Sequence, residues 1–268
     1  MEPPVKDTRI STALITGSSG GIGYEFARLF ARDHCNLVLV ARRDQKLKEI
    51  AEQLRREFAV GVKTVTLDLS SAPAAQQLFD QLQVEGITVD ILVNNAAYGR
   101  FGEFADVALD ESLGQIQLNI VALTHLTKLF LGPMIGRGSG KILNVASTAG
   151  FQPGPLMAVY YATKAYVISF SEALANELKS TGISVTCFCP GATDTGFQRR
   201  AGTENSRLFK KIGAMDVKAV AHDGYRGMIH GKTLVFSGWH NWLAAESVRV
   251  TPRKLVTAVS RWVAETVE

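Results

Sequence analysis

The segment Tyr160-Tyr161-Ala162-Thr163-Lys164 carries two side chains that could exchange a proton. Tyr160 and Lys164 are four residues apart, so on a helix they share one face. A free tyrosine, with a pKa of about 10, holds its proton too tightly to act as a base near neutral pH, whereas a neighbouring ammonium favours the phenolate. The pair therefore indicates a proton donor and acceptor, although the same spacing also occurs by chance as a solvated pair.

Ser147 and Asn119 are further candidates for this chemistry. Ser147 lies thirteen residues before Tyr160 and directly follows the mainly apolar run Lys141 to Ala146, which predicts a strand. Its hydroxyl is therefore expected at the carboxyl end of a strand, the edge where open α/β sheets bind ligands. Asn119 interrupts the helical apolar pattern of Asp106 to Leu131, so it needs either a structural hydrogen bond or a role in the site.

A glycine-rich segment, Gly17 to Gly23, separates a predicted strand from a predicted helix. The strand is Ala13 to Thr16, and Ile22 to Arg32 carries apolar residues at helical spacing. This order places free backbone N–H groups and the positive end of a helix where a pyrophosphate can bind. A merely flexible turn would not need glycines at such regular positions.

Two arginines follow the second predicted strand, Asn36 to Ala41, at the position that selects between dinucleotides. An acidic side chain there would bind the ribose hydroxyls of NAD, whereas arginine suits the 2′-phosphate of NADP. Arg42 and Arg43 occupy this position, and the first acid is Asp44. The sequence thus favours NADP, the alternative being that both arginines face solvent at the start of a helix.

Predicted strands and helices alternate at about thirty residues per unit, which is the pattern of a doubly wound sheet. The predicted strands span residues 13–16, 36–41, 62–67, 90–95, 141–146, 183–189 and 233–236. The predicted helices span residues 22–32, 44–58, 73–84, 106–131, 156–179, 217–230 and 252–267, with a loop at 132–140. We expect an α/β fold: a doubly wound, Rossmann-type parallel sheet of about seven strands, with helices on both faces in three layers. Residues 1–268 should form one domain, with a substrate lid around 196–214.

Composition and charge narrow the class of protein. The 268 residues are 46% hydrophobic and 20% charged, which is enough to bury a large core. The net charge is only +4 and the basic pairs are scattered, so we expect no nucleic-acid partner. The five histidines are isolated and predict no metal site.

The sequence also predicts a cytoplasmic location without a membrane span. Cys35, Cys187 and Cys189 are too few and of odd number for a disulfide framework, which favours a reducing compartment. The start, Met1 to Lys6, has two prolines and no apolar core, unlike a signal peptide. No stretch is expected to approach the roughly 18 apolar residues that cross a bilayer.

These motifs resemble those of the short-chain dehydrogenase/reductase family, and the resemblance covers nearly the whole chain. The family's glycine motif is met from Thr16 to Gly23, and its Asn-Asn-Ala turn is met at Asn94-Asn95-Ala96. Ala97 replaces the glycine that usually follows, which affects local geometry. The resemblance implies that the cofactor contacts Gly17, Ser18, Ser19, Gly21, Ile22, Gly23, Arg42, Arg43, Asp68, Leu69, Asn95, Ala96, Tyr160, Lys164, Pro190, Gly191, Thr193 and Thr195.

The family's catalytic asparagine, serine, tyrosine and lysine match Asn119, Ser147, Tyr160 and Lys164 in order and spacing. The resemblance implies hydride transfer between the nicotinamide of NADP(H) and a carbonyl or secondary alcohol carbon, while Tyr160 transfers the proton. Lys164 would lower the pKa of Tyr160 and bind the nicotinamide ribose. Ser147 would bind the substrate oxygen, and Asn119 would hold a water of a proton relay. Tyr161, three residues from Lys164, competes with Tyr160 as the base.

The resemblance further implies a small-molecule carbonyl or alcohol substrate and a homodimer or homotetramer. Two alternative functions stay open. One is a reductase of carrier-bound acyl ketones, whose carrier would be attracted by basic pairs in the lid. The other is a dinucleotide-sensing protein that has lost catalysis. The cluster Trp239, His240 and Trp242 is expected in the core or an interface, rather than at a membrane surface.

Overall fold

The computed structural model describes residues 10–266, apart from the side chain of Ile212. Within this range a seven-stranded sheet forms the centre, and every neighbouring pair of its strands is parallel. The strands are β1 (Thr12–Thr16), β2 (Asn36–Ala41), β3 (Val62–Thr66), β4 (Ile91–Asn94), β5 (Gly140–Val145), β6 (Ile183–Cys189) and β7 (Leu234–Phe236). The segment Met1 to Lys6 and the predicted helix end at Val267 lie outside the described residues.

Helices cover both faces of the sheet. They are α1 (Gly21–Arg32), α2 (Asp44–Phe58), α3 (Ala74–Val84), α4 (Leu109–Ile116), α5 (Leu123–Arg137), α6 (Ala158–Glu177), α7 (Phe197–Ala201), α8 (Val217–Ile229), α9 (Trp239–Ser247) and α10 (Arg253–Ala264). Successive strand residues point to opposite faces. In β1, Ala13 and Ile15 pack with α1, α2 and α8, whereas Leu14 packs with α3 and α5. The predicted three-layer α/β architecture is therefore confirmed.

The strand order, β3-β2-β1-β4-β5-β6-β7, creates the crevice in which a ligand can bind. The chain moves outward from β1 to β3 and then returns to β4 on the other side of β1. The connections after β1 and β4 therefore leave the sheet in opposite directions, and such switch points form clefts at the carboxyl ends of the strands. This is where the glycine-rich segment and the Asn94-Asn95-Ala96 turn come together.

The predicted loop at 132–140 was wrong at its start, because α5 continues through Pro133 to Arg137. A proline inside a helix loses one hydrogen bond and is unfavourable by about 3 kcal/mol. Phe130 and Met134, on either side of Pro133, are both buried against the sheet. Burial of these two side chains offsets the unfavourable proline, and the helix ends only at Gly138, which has a left-handed conformation.

A π-helical turn, Gln117–Ala122, joins α4 to α5, so that one continuous helix runs from Leu109 to Arg137. By length and composition alone this 29-residue helix reaches the size of a membrane span, which the sequence pattern had not indicated, but core helices pass the same test. In the fold it packs against α3 and α6 as one layer of the sandwich, and 39% of its apolar window is buried.

Helix α9 was not predicted, and of the two expected positions for its tryptophans, core or interface, the structure excludes the core. Trp239 and Trp242 are exposed, and Ala245 is the fully enclosed residue of this helix. Because the large apolar residues face outward and a small one faces inward, the apolar pattern gave no core-facing stripe that would have indicated the helix.

A ladder of buried side chains fixes β4 and β5 beside each other. Asn94 Nδ2 donates to Thr127 Oγ1 at 3.0 Å and to Asn144 Oδ1 at 2.9 Å. Asn144 Nδ2 donates in turn to Ser171 Oγ on α6 at 3.0 Å. All four side chains are buried. The ladder thus aligns the strand ends that carry the Asn-Asn-Ala turn and Ser147.

Replacing Asn144 by leucine should destabilise the fold. Asn144→Leu removes a partner from both Asn94 and Ser171, and a buried polar group that loses its partner costs about 1–3 kcal/mol. Urea unfolding measures the change in the free energy of unfolding. Asn176→Leu, an exposed substitution on α6, is the matched control. An equal effect of the two substitutions would show that the ladder contributes no stability.

Candidate active site

A cleft of about 1000 Å³ opens at the carboxyl edge of the sheet. One half is lined by the glycine-rich segment, the end of β2 and the turn after β4. The other half is lined by the residues after β5 and β6, the start of α6, the segment around α7, and the inward faces of α9 and α10. Residues that lie far apart in the chain therefore meet in one cavity.

The glycine-rich segment lies too close to the turn after β4 to admit side chains. A Cβ added to Gly17 would lie 2.9 Å from Asn95 Nδ2 and from Ala96 Cα, and Gly17 has a φ of +68°. A Cβ added to Gly23 would lie 2.5 Å from Asn95 Nδ2. Helix α1 begins here with no side-chain cap, so its first N–H groups are free to bind a phosphate.

Asn95 stabilises the close contact between the glycine-rich segment and the turn after β4. Its side-chain nitrogen is hydrogen-bonded within the protein. Its Nδ2 donates to Thr16 O at 2.9 Å, and its backbone N–H donates to Thr16 Oγ1 at 2.9 Å. Thr16 Oγ1 also accepts from Ala96 N at 3.0 Å. The first residue of the glycine motif thus ties β1 to the turn after β4.

Arg42 and Arg43 both line the cleft at the end of β2. Arg43 Nη2 donates to Ser19 O at 2.7 Å, which folds this side chain over the glycine-rich segment. Arg42 forms an ion pair with Asp68, at 3.5 Å between Nη1 and Oδ2. The two guanidinium groups therefore converge where the adenosine ribose of a dinucleotide would lie.

Arg200, on α7, joins these two arginines in the cleft, although nothing in the sequence links it to them. Burial lowers the pKa of Arg200, and the charges of Arg42 and Arg43 lower it further. Arg200 makes no ion pair with a residue that the structure describes, whereas its neighbour Arg199 pairs with Glu204 at 3.7 Å. No sequence signal joins α7 to the end of β2, since they are about 160 residues apart and meet only through the fold.

Ser147, Tyr160 and Lys164 meet on the opposite wall of the cleft. Ser147 begins the short turn after β5, where its Oγ accepts from Ala149 N at 3.1 Å. Lys164 Nζ lies 5.8 Å from the centre of the Tyr160 ring and donates to Val145 O at 2.7 Å. The three side chains thus form one cluster, as their order and spacing in the sequence predict.

The expectation that Lys164 lowers the pKa of Tyr160 is not met in this environment. Burial raises the pKa of Tyr160 above its ordinary value, although the Ser147 hydroxyl acts in the opposite direction. Burial also lowers the pKa of Lys164 to about 8, against a smaller opposite effect of Cys187 and Cys189. Lys164 points its ammonium at Val145 O, so in the free chain it does not bring the pKa of Tyr160 below its ordinary value.

Tyr161 lies in a different position from Tyr160. The two ring centres are 6.2 Å apart, and the Tyr161 ring packs so tightly on Gly154 that a Cβ there would overlap it. Ser147 influences the pKa of Tyr160, whereas burial alone raises the pKa of Tyr161. Tyr160 is therefore the tyrosine that shares an environment with the serine.

The Asn119 side chain is fully engaged in structural hydrogen bonds. Its Oδ1 accepts from Tyr98 N at 3.1 Å, and its Nδ2 donates to Tyr98 O at 2.9 Å and to Thr163 Oγ1 at 3.0 Å. Asn119 lies in the π-helical turn and does not line the cleft. Its side chain ties the loop after β4 to α6 one residue before Lys164, which fits the structural alternative raised from the sequence.

Most residues predicted to bind the cofactor line the cleft. They are Gly17, Ser19, Gly21, Ile22, Arg42, Arg43, Asp68, Leu69, Asn95, Ala96, Tyr160, Lys164, Pro190, Gly191, Thr193 and Thr195. Ser18 and Gly23 do not line it. Ser18 is buried, with its Oγ 3.4 Å from Val40 O, and Gly23 packs beneath the loop. Both residues support the shape of the loop and do not themselves face the cavity.

The far end of the cleft is apolar. Its lining there includes Met157, Tyr161, Phe197, Leu208, Phe209, Val263 and Ala264. Phe197 packs against Tyr160 with 5.2 Å between the ring centres. Among residues 10–266, no three histidine, cysteine, aspartate or glutamate side chains come together as they would to hold a metal ion.

Comparison with known proteins agrees with this geometry. A family model described as short chain dehydrogenase matches residues 11–206. The very-long-chain 3-oxoacyl-CoA reductase of Rattus norvegicus is 34% identical over 186 residues, which cover 66% of this chain and 58% of that protein. A putative ketoacyl reductase of Streptomyces coelicolor is 36% identical over 185 residues, which cover 68% of this chain and 70% of that protein. The chain thus spans only 58% of the length of the first of these curated relatives.

Solved structures share the architecture over most of the chain. A short-chain dehydrogenase from Sphingobium yanoikuyae in complex with NADPH has 32% identity and a TM-score of 0.82, covering 90% of this chain and 94% of that one. The bulky-bulky ketone specific alcohol dehydrogenase from Comamonas testosteroni has 30% identity and a TM-score of 0.78, covering 91% and 93%. The family match and these similarities lead to one conclusion: the chain belongs to the short-chain dehydrogenase/reductase family.

Proposed function

We propose that this protein is an NADP(H)-dependent oxidoreductase that interconverts a carbonyl and a secondary alcohol. The observation that carries the proposal is the convergence of Ser147, Tyr160 and Lys164 on one wall of a cleft whose other wall is a phosphate cradle. When bound, the nicotinamide cofactor supplies the hydride. The chain itself must hold the substrate oxygen and provide the matching proton.

The residues present fit NADP(H) well. Gly17 and Gly23 leave room where side chains would block the pyrophosphate, and the open helix end provides donors for it. Arg42, Arg43 and Arg200 supply positive charge where the 2′-phosphate would lie. The NADPH complex of the Sphingobium yanoikuyae enzyme, with the same fold, supports this choice.

Tyr160 is the proton donor and acceptor in this mechanism, and Ser147 positions the substrate oxygen. The Ser147 hydroxyl lies near the phenol, so one carbonyl oxygen can contact both groups. As negative charge develops on that oxygen, these two donors stabilise it, and Tyr160 completes the transfer of the proton. Phe197 covers the Tyr160 ring and limits access of water to it.

Lys164 adds a positive charge behind this pair. Its pKa of about 8 leaves the ammonium form predominant at neutral pH. A negative charge that develops on Tyr160 is stabilised by this ammonium, so the charge effect expected from the sequence operates in the proton-transfer step. The ammonium also carries donors that suit ribose hydroxyls.

The substrate proposed here is apolar and bulky. Leu208, Phe209 and Val263 are among the apolar residues that line the cleft together with Tyr160. A related alcohol dehydrogenase is described as specific for bulky-bulky ketones. The segment 196–214 would act as a lid over the apolar end of the cleft, since α7 and the turn at 208–212 both lie against the cleft.

Reduction of carrier-linked acyl ketones is the second candidate function. Relatives described as very-long-chain 3-oxoacyl-CoA reductase and putative ketoacyl reductase favour it. An acyl chain matches the apolar end of the cleft, and the exposed Lys210 and Lys211 beside it could attract a phosphorylated carrier. The chemistry at Tyr160 would be the same for both classes of substrate.

A homodimer or homotetramer and a cytoplasmic location complete the proposal. The face formed by α4, α5 and α6 exposes Leu113, Ile116, Val121 and Tyr166, and exposed apolar faces of this kind are used in subunit contacts. The three cysteines are free thiols, which suits a reducing compartment.

Tyr160→Phe should lower the rate of NADPH-dependent ketone reduction by about 10²–10⁴-fold, because it removes the transferable proton. NADPH binding, followed by fluorescence, should change little. Tyr161→Phe is the matched control and should keep most of the activity, as read from nicotinamide absorbance. Near-normal turnover in the Tyr160 variant would refute the assignment.

The double variant Arg42→Ala/Arg43→Ala should bind NADPH at least about tenfold more weakly, because charge-assisted hydrogen bonds contribute about 1.5–3 kcal/mol. NADH, which lacks the 2′-phosphate, should bind much as before. Arg56→Ala, at an exposed position of α2 that does not line the cleft, serves as control. Equal weakening of both dinucleotides, or tighter binding of NADH by the parent chain, would contradict the preference for NADP(H).

The buried Lys164 predicts a pH dependence of stability. Its pKa falls from 10.5 to about 8 on folding, so between these pH values the unfolded chain binds the proton more tightly than the folded chain does. The stability of the parent relative to Lys164→Met should therefore rise with pH across this window, by up to about 3 kcal/mol. Urea unfolding of both chains at several pH values measures the difference. A difference that stays constant with pH would show that Lys164 keeps its ordinary pKa.

A further inference from the structure

We propose that the outward faces of α9 and α10 form a surface that binds the headgroup region of anionic lipid membranes. This surface, named here the aromatic face, consists of Trp239, Trp242 and Leu243 on α9 and Leu255, Val259 and Trp262 on α10. It lies outside the catalytic cluster and has no role in the reaction proposed above.

The exposure of tryptophan is the first observation. The chain contains three tryptophans, and all of them belong to the aromatic face. Trp239 is 66% exposed, Trp262 is 55% exposed and Trp242 is 50% exposed. Scattered single apolar residues on a surface need no explanation, but several large ones on two consecutive helices indicate an interaction site. Tryptophan in particular concentrates where an apolar phase meets water.

Helix α10 is amphipathic, and its inward face already serves the fold. In α10, Val256 and Ala264 are buried, whereas Leu255, Val259 and Trp262 follow each other at helical spacing on the outside. The outward residues therefore contribute nothing to the core of the described fold. An amphipathic helix of this kind can lie in the plane of a membrane interface with its apolar face in the lipid.

The charges near the aromatic face favour an anionic lipid surface, rather than a second copy of this chain, as its partner. Residues 239–266 carry four basic and two acidic side chains, and both acids are engaged in ion pairs, Glu246 with Arg249 and Glu265 with Arg207. Arg253 and Lys254 form no ion pair with any side chain in the described range 10–266. A symmetric dimer through this face would bring these basic residues near their own copies, whereas anionic headgroups would neutralise them.

The basic segment before α8 extends this pattern. The Arg207 guanidinium lies 5.1 Å from the centre of the Trp262 ring, and the exposed Lys210 and Lys211 follow in the next turn. Basic side chains around exposed tryptophan combine the two contributions that hold a helix at an anionic membrane, apolar burial and attraction to headgroups.

The position of the aromatic face gives it a consequence for substrate access. The opposite faces of the same two helices line the apolar end of the cleft, through Ala244 and Ala245 on α9 and Val263 and Ala264 on α10. Docking by the aromatic face would hold this end of the cleft at the lipid. Apolar ketones or acyl chains dissolved in the bilayer would then need to cross little water.

The intrinsic fluorescence of the full chain tests the proposal directly, because its three tryptophans all lie on the aromatic face. Vesicles of phosphatidylcholine with phosphatidylserine should shift the emission to shorter wavelength and co-sediment with the protein. Trp242→Ser/Trp262→Ser should reduce the partitioning about tenfold or more, since two interfacial anchors are lost. Val84→Ser, at an exposed apolar position on α3, should leave partitioning unchanged.

Reversing the charge of the basic residues on α10 tests whether the aromatic face binds an anionic lipid or a different partner. Arg253→Glu/Lys254→Glu should weaken binding to phosphatidylserine vesicles, and raised salt should do the same, whereas the control Arg56→Glu/Lys179→Glu should not. Reduction of a water-soluble ketone should be unaffected by all these substitutions. The proposal fails if the parent chain does not bind the anionic vesicles. It also fails if the tryptophan variant binds them as tightly as the parent, or if that variant instead converts an oligomer to a monomer in light scattering.

Discussion

The close approach of the glycine-rich segment to the turn after β4 is the constraint on which the rest of the site depends. Gly17 and Gly23 touch Asn95 and Ala96 at distances that leave no space for a Cβ. This contact is possible because β1 and β4 are neighbours at the point where the strand order reverses. It fixes the start of α1 at the sheet edge, and with it the direction in which unpaired N–H groups face the cleft.

On the opposite wall of the cleft, the depth at which side chains are buried determines their charges and positions. Lys164 lies under the sheet edge with its ammonium on Val145 O, and burial lowers its pKa to about 8. Asn119 and the ladder from Asn94 to Ser171 hold α6 against β4 and β5. These buried hydrogen bonds position the proton-transferring groups without touching them.

The carboxyl-terminal helices combine two roles on two faces. Small residues of α9 and α10 close the apolar end of the cleft, and large apolar residues of the same helices face outward. The shape of the substrate pocket and the exposure of the aromatic face are therefore coupled through the packing of the same two helices.

The sequence by itself determined the alternation of strands and helices, the family, and the cluster of Ser147, Tyr160 and Lys164, because these features depend on local periodicity and on short motifs. It determined Asn36–Ala41 and Asp44–Phe58 to the residue, where apolar runs end sharply. It did not determine the continuation of α5 through Pro133, since burial against the sheet overrides local propensity.

Only the tertiary structure brought Arg200 to Arg42 and Arg43, turned Trp239 and Trp242 outward, and made burial the main influence on the charges of Tyr160 and Lys164. These features depend on contacts between distant parts of the chain and on how deeply each side chain is enclosed, and neither is encoded in the spacing of residues along the sequence.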